Sequence, residues 1–356
     1  MKVYQFVGEP SKMENPYVRT LIDGINSLHD DVEWISGREK FWSDEIISCD
    51  IMHIHWPNII VKKSFSPDIV QRFQNRIKQI KNHGVKIVVT CHNLEPHYNN
   101  NEKDSESYRI VWDNADLFIH LGEYSRKVLA SKYVNAKHVI IPHHTYDSLY
   151  RREERDVSIS KLGLNPEYTY ILCFGAFRSE EERNLVKMVS EKFYDEGVAV
   201  LAPNFVKIKR RKNCFALLKQ VLYWLYLKKR YPGIIISGRY VSDDDLVYYF
   251  GASAITLIQR YKILNSGNMP LAFLMGNVVV GPNVGNVGDI LNKTGNPIFN
   301  VYDKDSLFEA ISKGLKLSKE GKGSLNAKYA NDQWRTEIIA EKLYQAYCNL
   351  ISNNEY

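Results

Sequence analysis

Cysteine is scarce in this chain: Cys49, Cys91, Cys173, Cys214 and Cys348 are odd in number, far apart and never arranged as a CxxC pair. That argues against a disulfide framework and a thiolate zinc centre, and it fits a reducing cytosol. Long apolar runs are missing too. No stretch of about 18 apolar residues occurs, so no segment is expected to span a membrane. The opening "MKVYQFVGEPSK" lacks the apolar region of a signal peptide and reads as a β-strand entering a loop. Short repeats and low-complexity tracts are absent apart from Asn99 to Asn101. The charge excess is small, +6 from 47 basic and 41 acidic residues. It is compatible with an anionic ligand or an acidic membrane surface, and no nucleic-acid partner is expected.

What is present is ample material for a core. The 356 residues, 44% hydrophobic and 25% charged, exceed what a single core usually supports, and two domains are expected. From the N-terminus, "KVYQFVG", "DIMHIHW", "KIVVTCHN", "ADLFIHLG" and "HVIIP" read as strands. Between them lie amphipathic stretches such as "IVQRFQNRIKQIKNHG", whose Ile69, Phe73, Ile77 and Ile80 recur at helical spacing. Strand–helix–strand alternation means βαβ units and a parallel sheet. The pattern breaks in the charged, turn-rich residues 151–167, the expected linker between a domain at 1–150 and another at 168–330. The second run begins at "TYILCFGAF" and continues through "VAVLAP", "GIIISGRYV", "AITLI" and "PIFNV". Residues 331–356 read as a closing helix returning toward the first domain. The expected fold class is α/β, with two doubly wound, Rossmann-like domains facing a central cleft.

The most informative stretch is "ILNSGNMPLAFLMGNVVVGPNVGNVGDIL", Ile263 to Leu291. A loop after "AITLI" leads into a helix that stops at Gly276; a "VVV" strand and a second glycine-bearing helix start follow. Two helix openings at strand ends make a backbone cradle for an anion, with Ser266 and Asn268 beside it. Ser and Asn are equally common as simple caps. The stretch resembles the C-terminal nucleotide-sugar-binding domain of GT-B glycosyltransferases, with Gly276, Val279, Val280, Gly285 and Asp289 in corresponding places. "GRYVSDDDLVYYFGASAITLI", "DIMHIHWPN", "VVTCHNLEPH" and "VIIPHHTYDSLY" extend the resemblance over nearly the whole chain. Where that family commonly carries two glutamates, this chain has Ile263 and Leu271, neither able to accept a hydrogen bond. The "SGN.PLA" variant instead resembles polysaccharide-assembly transferases of β-mannosyltransferase-like type, and retention or inversion stays open.

The resemblance implies a metal-independent hexosyltransferase. It would take a UDP- or GDP-sugar as substrate, with no cofactor, and a saccharide acceptor, lipid-linked, in surface or capsular polysaccharide assembly. Domain closure would exclude water. His92, following a strand, would meet the transferred sugar, and Glu95 is the nearest carboxylate for a general base if the reaction inverts. His55, Trp56 and His97 are acceptor-side candidates; His53 and His55 share a strand face, but no carboxylate cluster accompanies them, so no metal is expected. Arg178, Arg183 and Lys262 would neutralise a diphosphate lying on Asn265, Ser266, Gly267 and Asn268. Tyr240 and Val241 would wall the nucleotide base, and Asp289 would meet a sugar or ribose hydroxyl or serve as a capping acid. An epimerase of the same fold and a non-catalytic glycan-binding subunit are the alternatives. Finally, "KIKRRKNCFALLKQVLYWLYLKKR" joins a basic loop to an apolar helix. Its loop is a candidate for an anionic membrane at the inner face of the cytoplasmic membrane, while its apolar side is expected to face the domain's own sheet.

Overall fold

The structure, a computed structural model, describes residues 1–7, 15–61, 64, 66–96, 102–206, 214–237 and 241–352. His97, Tyr240 and the basic run 207–213 lie outside them. The described chain forms two compact units, 1–148 with 334–356, and 149–333.

In the first unit, strands β1 (Lys2–Phe6), β2 (Glu33–Ser36), β3 (Ile51–Ile54), β4 (Lys86–Cys91), β5 (Leu117–His120) and β6 (Lys137–Ile140) pair in parallel in the order β2-β1-β3-β4-β5-β6. Helices α1 (Tyr17–Asn26), α2 (Ile69–Asn82), α3 (Glu102–Asn114) and α4 (Glu123–Ala130) connect them. Side chains alternate across a strand, so each strand feeds both faces. Tyr4, Phe6, Met52, Ile54, Ile87 and Val89 enter one apolar core with Phe73, Ile77 and Ile80 of α2. The opposite face carries Gln5, His53 and Thr90, all buried.

The closing helix, α13 (Thr336–Ile351), belongs to this first unit and packs on α1. Glycine makes that approach possible: a Cβ on Gly24 would lie 2.9 Å from Ala340 Cβ. Arg335, at the N-cap of α13, provides no capping side chain. Asp147 does so from a distance, accepting from Thr336 N at 2.7 Å and Thr336 Oγ1 at 2.8 Å. Burial works against the Asp147 carboxylate, yet hydrogen bonds from Thr336, Thr145 and Arg335 outweigh it and hold its pKa below the usual range.

The second unit begins with α5 (Arg155–Leu162), which lies within the span expected as a linker. It packs on α8 (Asp243–Ala252) so closely that a Cβ on Gly251 would overlap Ser158 Oγ. Strands β7 (Thr169–Leu172), β8 (Val198–Leu201), β9 (Ile234–Ile235), β10 (Ser253–Leu257), β11 (Val278–Pro282) and β12 (Ile298–Phe299) form a second parallel sheet in the order β12-β11-β10-β7-β8-β9. Its helices are α6 (Glu180–Phe193), α7 (Cys214–Arg230), α8, α9 (Asn268–Leu274), α10 (Gly285–Lys293), α11 (Lys304–Lys319) and α12 (Lys322–Gln333). Helix α9 ends where Gly276 takes a φ of 76°, the left-handed stop expected of it.

Asp147→Ala should remove the cap of α13 and lower unfolding free energy by about 2 kcal/mol, with Asp147→Asn losing less. Urea midpoints measure both; an unchanged midpoint in the alanine variant would show that α13 does not depend on this carboxylate.

Candidate functional site

In parallel α/β sheets, ligands bind beyond the carboxyl ends of strands where the strand order reverses. That place lies between β1 and β3 in the first unit and between β7 and β10 in the second. Each holds a polar cluster of its own.

In the first unit a chain of neutral groups crosses the sheet face. His55 Nε2 lies 3.0 Å from Gln5 Oε1, an acceptor only, so His55 donates from Nε2 and accepts at Nδ1. His92 Nε2, 3.2 Å away, is therefore the donor to His55 Nδ1. At the other end Gln5 Nε2 donates to the Tyr347 hydroxyl at 3.4 Å. Tyr347 donates to His53 Nδ1 at 2.5 Å, and His53 Nε2 donates to Thr90 Oγ1 at 2.7 Å. Burial, reinforced by His92, lowers the His53 pKa to about 3; burial and His53 push His55 well below 6.5.

Aromatic rings enclose His92. Trp56 stacks on it at 4.9 Å and 17°, and Tyr17 stands edge-on at 5.0 Å. Tyr17 also stacks on His144 at 5.0 Å. His144 Nε2 donates toward Thr20 Oγ1 and the Tyr17 carbonyl, while its Nδ1 accepts from Tyr146 N at 3.2 Å. Tyr146 adopts a φ of 63°, the sole positive φ among described non-glycine residues, to make that bond. His143 Nδ1 donates to the His144 carbonyl, and its ring nitrogen Nε2 accepts from Tyr146 Oη. Burial lowers His143 to about 4 and, with His143 adding to it, His144 to about 3.

These positions reorder the sequence expectations. His92 and Trp56 are half-buried and adjacent, whereas His55 is buried with one ring nitrogen on Gln5 and the other on His92. Glu95 is exposed on the loop after β4. Gln5, Tyr17, His143, His144 and Tyr347 were not singled out. Only the paired histidines directly after "VIIP" carried a local signal.

In the second unit the loop after β7 and the loop after β10 meet around a buried carboxylate. Glu182 accepts from Arg260 Nη1 at 2.9 and 2.7 Å and from Arg178 N at 2.6 Å. Arg260 is 9% exposed, so its charge is held by this pairing. Arg178 is exposed; partial burial and the repulsion of Arg260 lower its pKa, with Glu182 opposing them. One guanidinium, that of Arg260, thus pairs with the carboxylate while Arg178 meets it only through its backbone N–H, so the Arg178 side chain adds a second positive charge that an anion would relieve. Gly175 has a φ of 99°, and a Cβ there would stand 3.5 Å from Asn268 Nδ2 and 3.8 Å from Arg260 Nη2. The backbone of this loop lies close under both side chains.

The remaining expected donor residues divide. Asn268 Nδ2 is bonded to the Phe174 carbonyl at 2.9 Å, and Asn265 Oδ1 accepts from Asn286 Nδ2 at 2.7 Å, so both amides brace the loops. Gly285 reinforces this: a Cβ there would stand 2.6 Å from the Ile263 carbonyl. Ser266 and Gly267 are half-buried, and neither provides a side-chain cap to α9, which has only seven residues. Arg183 donates to the carbonyls of Ser179, Phe177 and Phe205 and lies 3.6 Å from Glu180; it ties loops together and is not presented to a ligand. Lys262 is exposed and Val241 buried. Asp289 is exposed a turn beyond the Val284 N-cap, so it is not a capping acid. Arg260 and Glu182 were missed. Glu182 carried a signal, because Ser179 and Glu182 have the spacing of a capping box and Ser179 Oγ accepts from Glu182 N.

Among the described residues no group of three His, Cys, Asp or Glu is placed to hold a metal ion. No protein-family model and no curated protein matches this sequence. Solved structures do. Sucrose-phosphate synthase from Thermosynechococcus elongatus is similar with a TM-score of 0.70 at 14% identity, over 99% of this chain and 100% of that one. A glycosyltransferase from Rickettsia africae gives 0.61 at 14% identity, over 99% of each chain. Anabaena HepE in complex with UDP-glucose gives 0.65 at 10% identity, over 98% and 100%. The chain has the GT-B fold, built on two parallel six-stranded α/β sheets.

Because His53, His55, His143 and His144 stay neutral when folded but titrate near 6.5 when unfolded, the unfolded chain binds more protons below that pH. Stability should be complete above 6.5 and fall as pH drops toward 4, with a limit of about 1.4 kcal/mol per pH unit per histidine. Urea midpoints at neutral and mildly acidic pH should differ. Tyr347→Phe, which strands Gln5 Nε2 and His53 Nδ1, should cost about 2–4 kcal/mol; a neutral result would mean that the chain is not cooperative.

Proposed function

We propose that this protein is a glycosyltransferase that moves a hexose from a UDP- or GDP-sugar to a saccharide acceptor. The observation that carries the reading is the cationic character of the carboxyl ends of β7 and β10, where the Arg260 guanidinium takes up Glu182 and the exposed Arg178 side chain stands on the loop whose backbone N–H bonds the same carboxylate. A nucleoside diphosphate is the anion that such a site suits, since guanidinium binds phosphate oxygens in a planar fork and steadies the charge that develops on the leaving group. Similarity in fold to Anabaena HepE in complex with UDP-glucose supports a nucleotide sugar as the source of that diphosphate.

The second unit would bind donor. Arg178, Arg260 and Lys262 would neutralise the diphosphate beside the backbone of Asn265 to Asn268, with Tyr240 and Val241 toward the base and Asp289 toward a hydroxyl. Cationic side chains then do the neutralising, and a divalent metal is not required. In the first unit the half-buried His92 would bond a sugar hydroxyl or receive a proton, and the Trp56 ring would offer an apolar face to the saccharide. In transfer the acceptor hydroxyl oxygen forms a bond to C1, the bond from C1 to the phosphate oxygen breaks, and the hydroxyl proton passes to His92 or Glu95. The departing nucleotide takes the electron pair. We further propose a lipid-linked acceptor in surface or capsular polysaccharide assembly at the inner face of the cytoplasmic membrane, a reading supported by resemblance of the "SGN.PLA" stretch to polysaccharide-assembly enzymes.

Thermal-shift measurements against UDP, GDP, CMP and TDP should show stabilisation by one of the first two, weakened at least about tenfold in affinity by Arg178→Ala. The matching nucleotide sugar should be turned over only with acceptor, equally well in the presence of a chelator. Stabilisation without turnover would favour the glycan-binding alternative, donor conversion without acceptor the epimerase, and no shift with any nucleotide would remove the donor site.

A further inference from the structure

Helix α7 breaks the rule that the rest of the second unit obeys. In a doubly wound fold the connecting helices turn their apolar side to the sheet. Among the described side chains of α7, Trp224 and Leu227 do so, packing into the second unit's core with Tyr231 just beyond. One hundred degrees per residue puts Leu218, Leu222, Leu225 and Lys229 on the opposite side, flanked by Val221 and Tyr226. All six are exposed, Leu222 at 55% and Tyr226 at 57%. Of the fifteen large hydrophobic residues exposed among those described, six fall between Leu218 and Tyr226, so the patch is a concentration and not scatter. The expectation that the apolar side faces the sheet is met by Trp224 and Leu227 and not by the exposed leucines. The helix is apolar on both sides, and one sheet can cover only one of them.

The cations of the helix and of the residues that precede it in sequence point to what covers the other. Lys219, Lys228, Lys229 and Arg230 lie on the helix, Lys207, Lys209, Arg210, Arg211 and Lys212 precede it, and residues 207–230 contain no acid. That is nine positive charges in a chain whose net charge is +6, leaving the remainder at −3 by difference. Lys228 lies 4.2 Å over the Trp224 ring, and Arg230 pairs with Glu191 at 2.7 Å. Lys219 and Lys229 flank the leucines, with stems long enough to let the ammonium groups reach past an apolar layer. Tyr223 and Tyr226 stack at 6.4 Å and present hydroxyl-bearing rings at the margin. A second copy of this chain fits poorly, because a two-fold contact would set the cations against themselves.

We propose that the outer face of α7 is a membrane-docking surface that lies in the headgroup region of an anionic bilayer, with Leu218, Leu222 and Leu225 reaching the acyl boundary and the flanking lysines on the lipid phosphates. Membrane contact there does not depend on which sugar is moved, or on whether one is. It places the second unit at the surface where a lipid-linked substrate would be found.

Full-length protein is mixed with vesicles of phosphatidylcholine alone or with phosphatidylglycerol added, and bound protein is sedimented. Binding should require phosphatidylglycerol, weaken with salt, and fall at least about tenfold in L222S/L225S, which keeps every charge. K228S/K229S should also bind more weakly and show less salt dependence. Both pairs are exposed, so nucleotide-induced thermal shifts should be unchanged in both, which separates loss of docking from loss of the donor site. Three results would each overturn the proposal: no binding to either vesicle, binding that L222S/L225S leaves intact, or self-association lost in that variant in place of vesicle binding.

Discussion

Gln5, His53, His55 and Thr90 on one face of the first sheet are buried together with Tyr347 of α13, and burial holds both histidines neutral there. The first unit depends on that constraint. A buried polar group must be satisfied, and here each donor is matched to the acceptor of the next in a single direction from His92 to His55 and Gln5, and from Gln5 through Tyr347 to Thr90. The arrangement joins β1, β3 and β4 to α13, so the C-terminal helix is part of the polar interior as well as a cover for α1. It also makes His92 Nε2 the donor to His55, since an amide oxygen at Gln5 leaves His55 only one way to turn its proton.

The second unit solves the corresponding problem with charge. At the equivalent reversal of strand order, between β7 and β10, Arg260 is buried because Glu182 is buried with it, and Glu182 also accepts from the backbone of the loop that bears Arg178. The carboxylate thereby holds two loops in register while leaving more positive than negative charge at the strand ends. Neutral hydrogen bonding in one unit and surplus cation in the other suit different parts of a reaction, proton and hydroxyl handling against phosphate binding. The braces formed by Asn268, Asn265, Arg183 and Gly285 keep those loops close enough for backbone to contribute. Helix α7 lies in the same unit as the cationic site and adds a basic, apolar outer face to it.

Much of the fold was legible in the chain because strands buried on both faces leave apolar runs such as "KIVVT" and "VVV", and because Gly276 marks a helix end in any context. His92 and Trp56 were legible as residues that follow strands in a parallel sheet. His55 was legible only as a residue, not as a role, because its partner Gln5 lies on another strand. Residues 151–167 read as a linker because they are charged, yet Ser158 and Ile159 are buried in α5, against which α8 packs.

The sequence by itself determined two parallel α/β units, the positions of their strand-end loops and the concentration of cations near α7, because periodicity, glycine punctuation and charge are local properties. Only the tertiary structure decided which polar residues share those loops. Gln5 and Tyr347 are 342 positions apart, and Glu182 and Arg260 are 78 apart. The capping-box spacing from Ser179 marks Glu182 as a helix-start residue and not as a partner of Arg260, and nothing local distinguishes Tyr347 from Tyr344 a turn away. Their roles come from desolvation and hydrogen-bond partnership, which exist only after distant segments have packed.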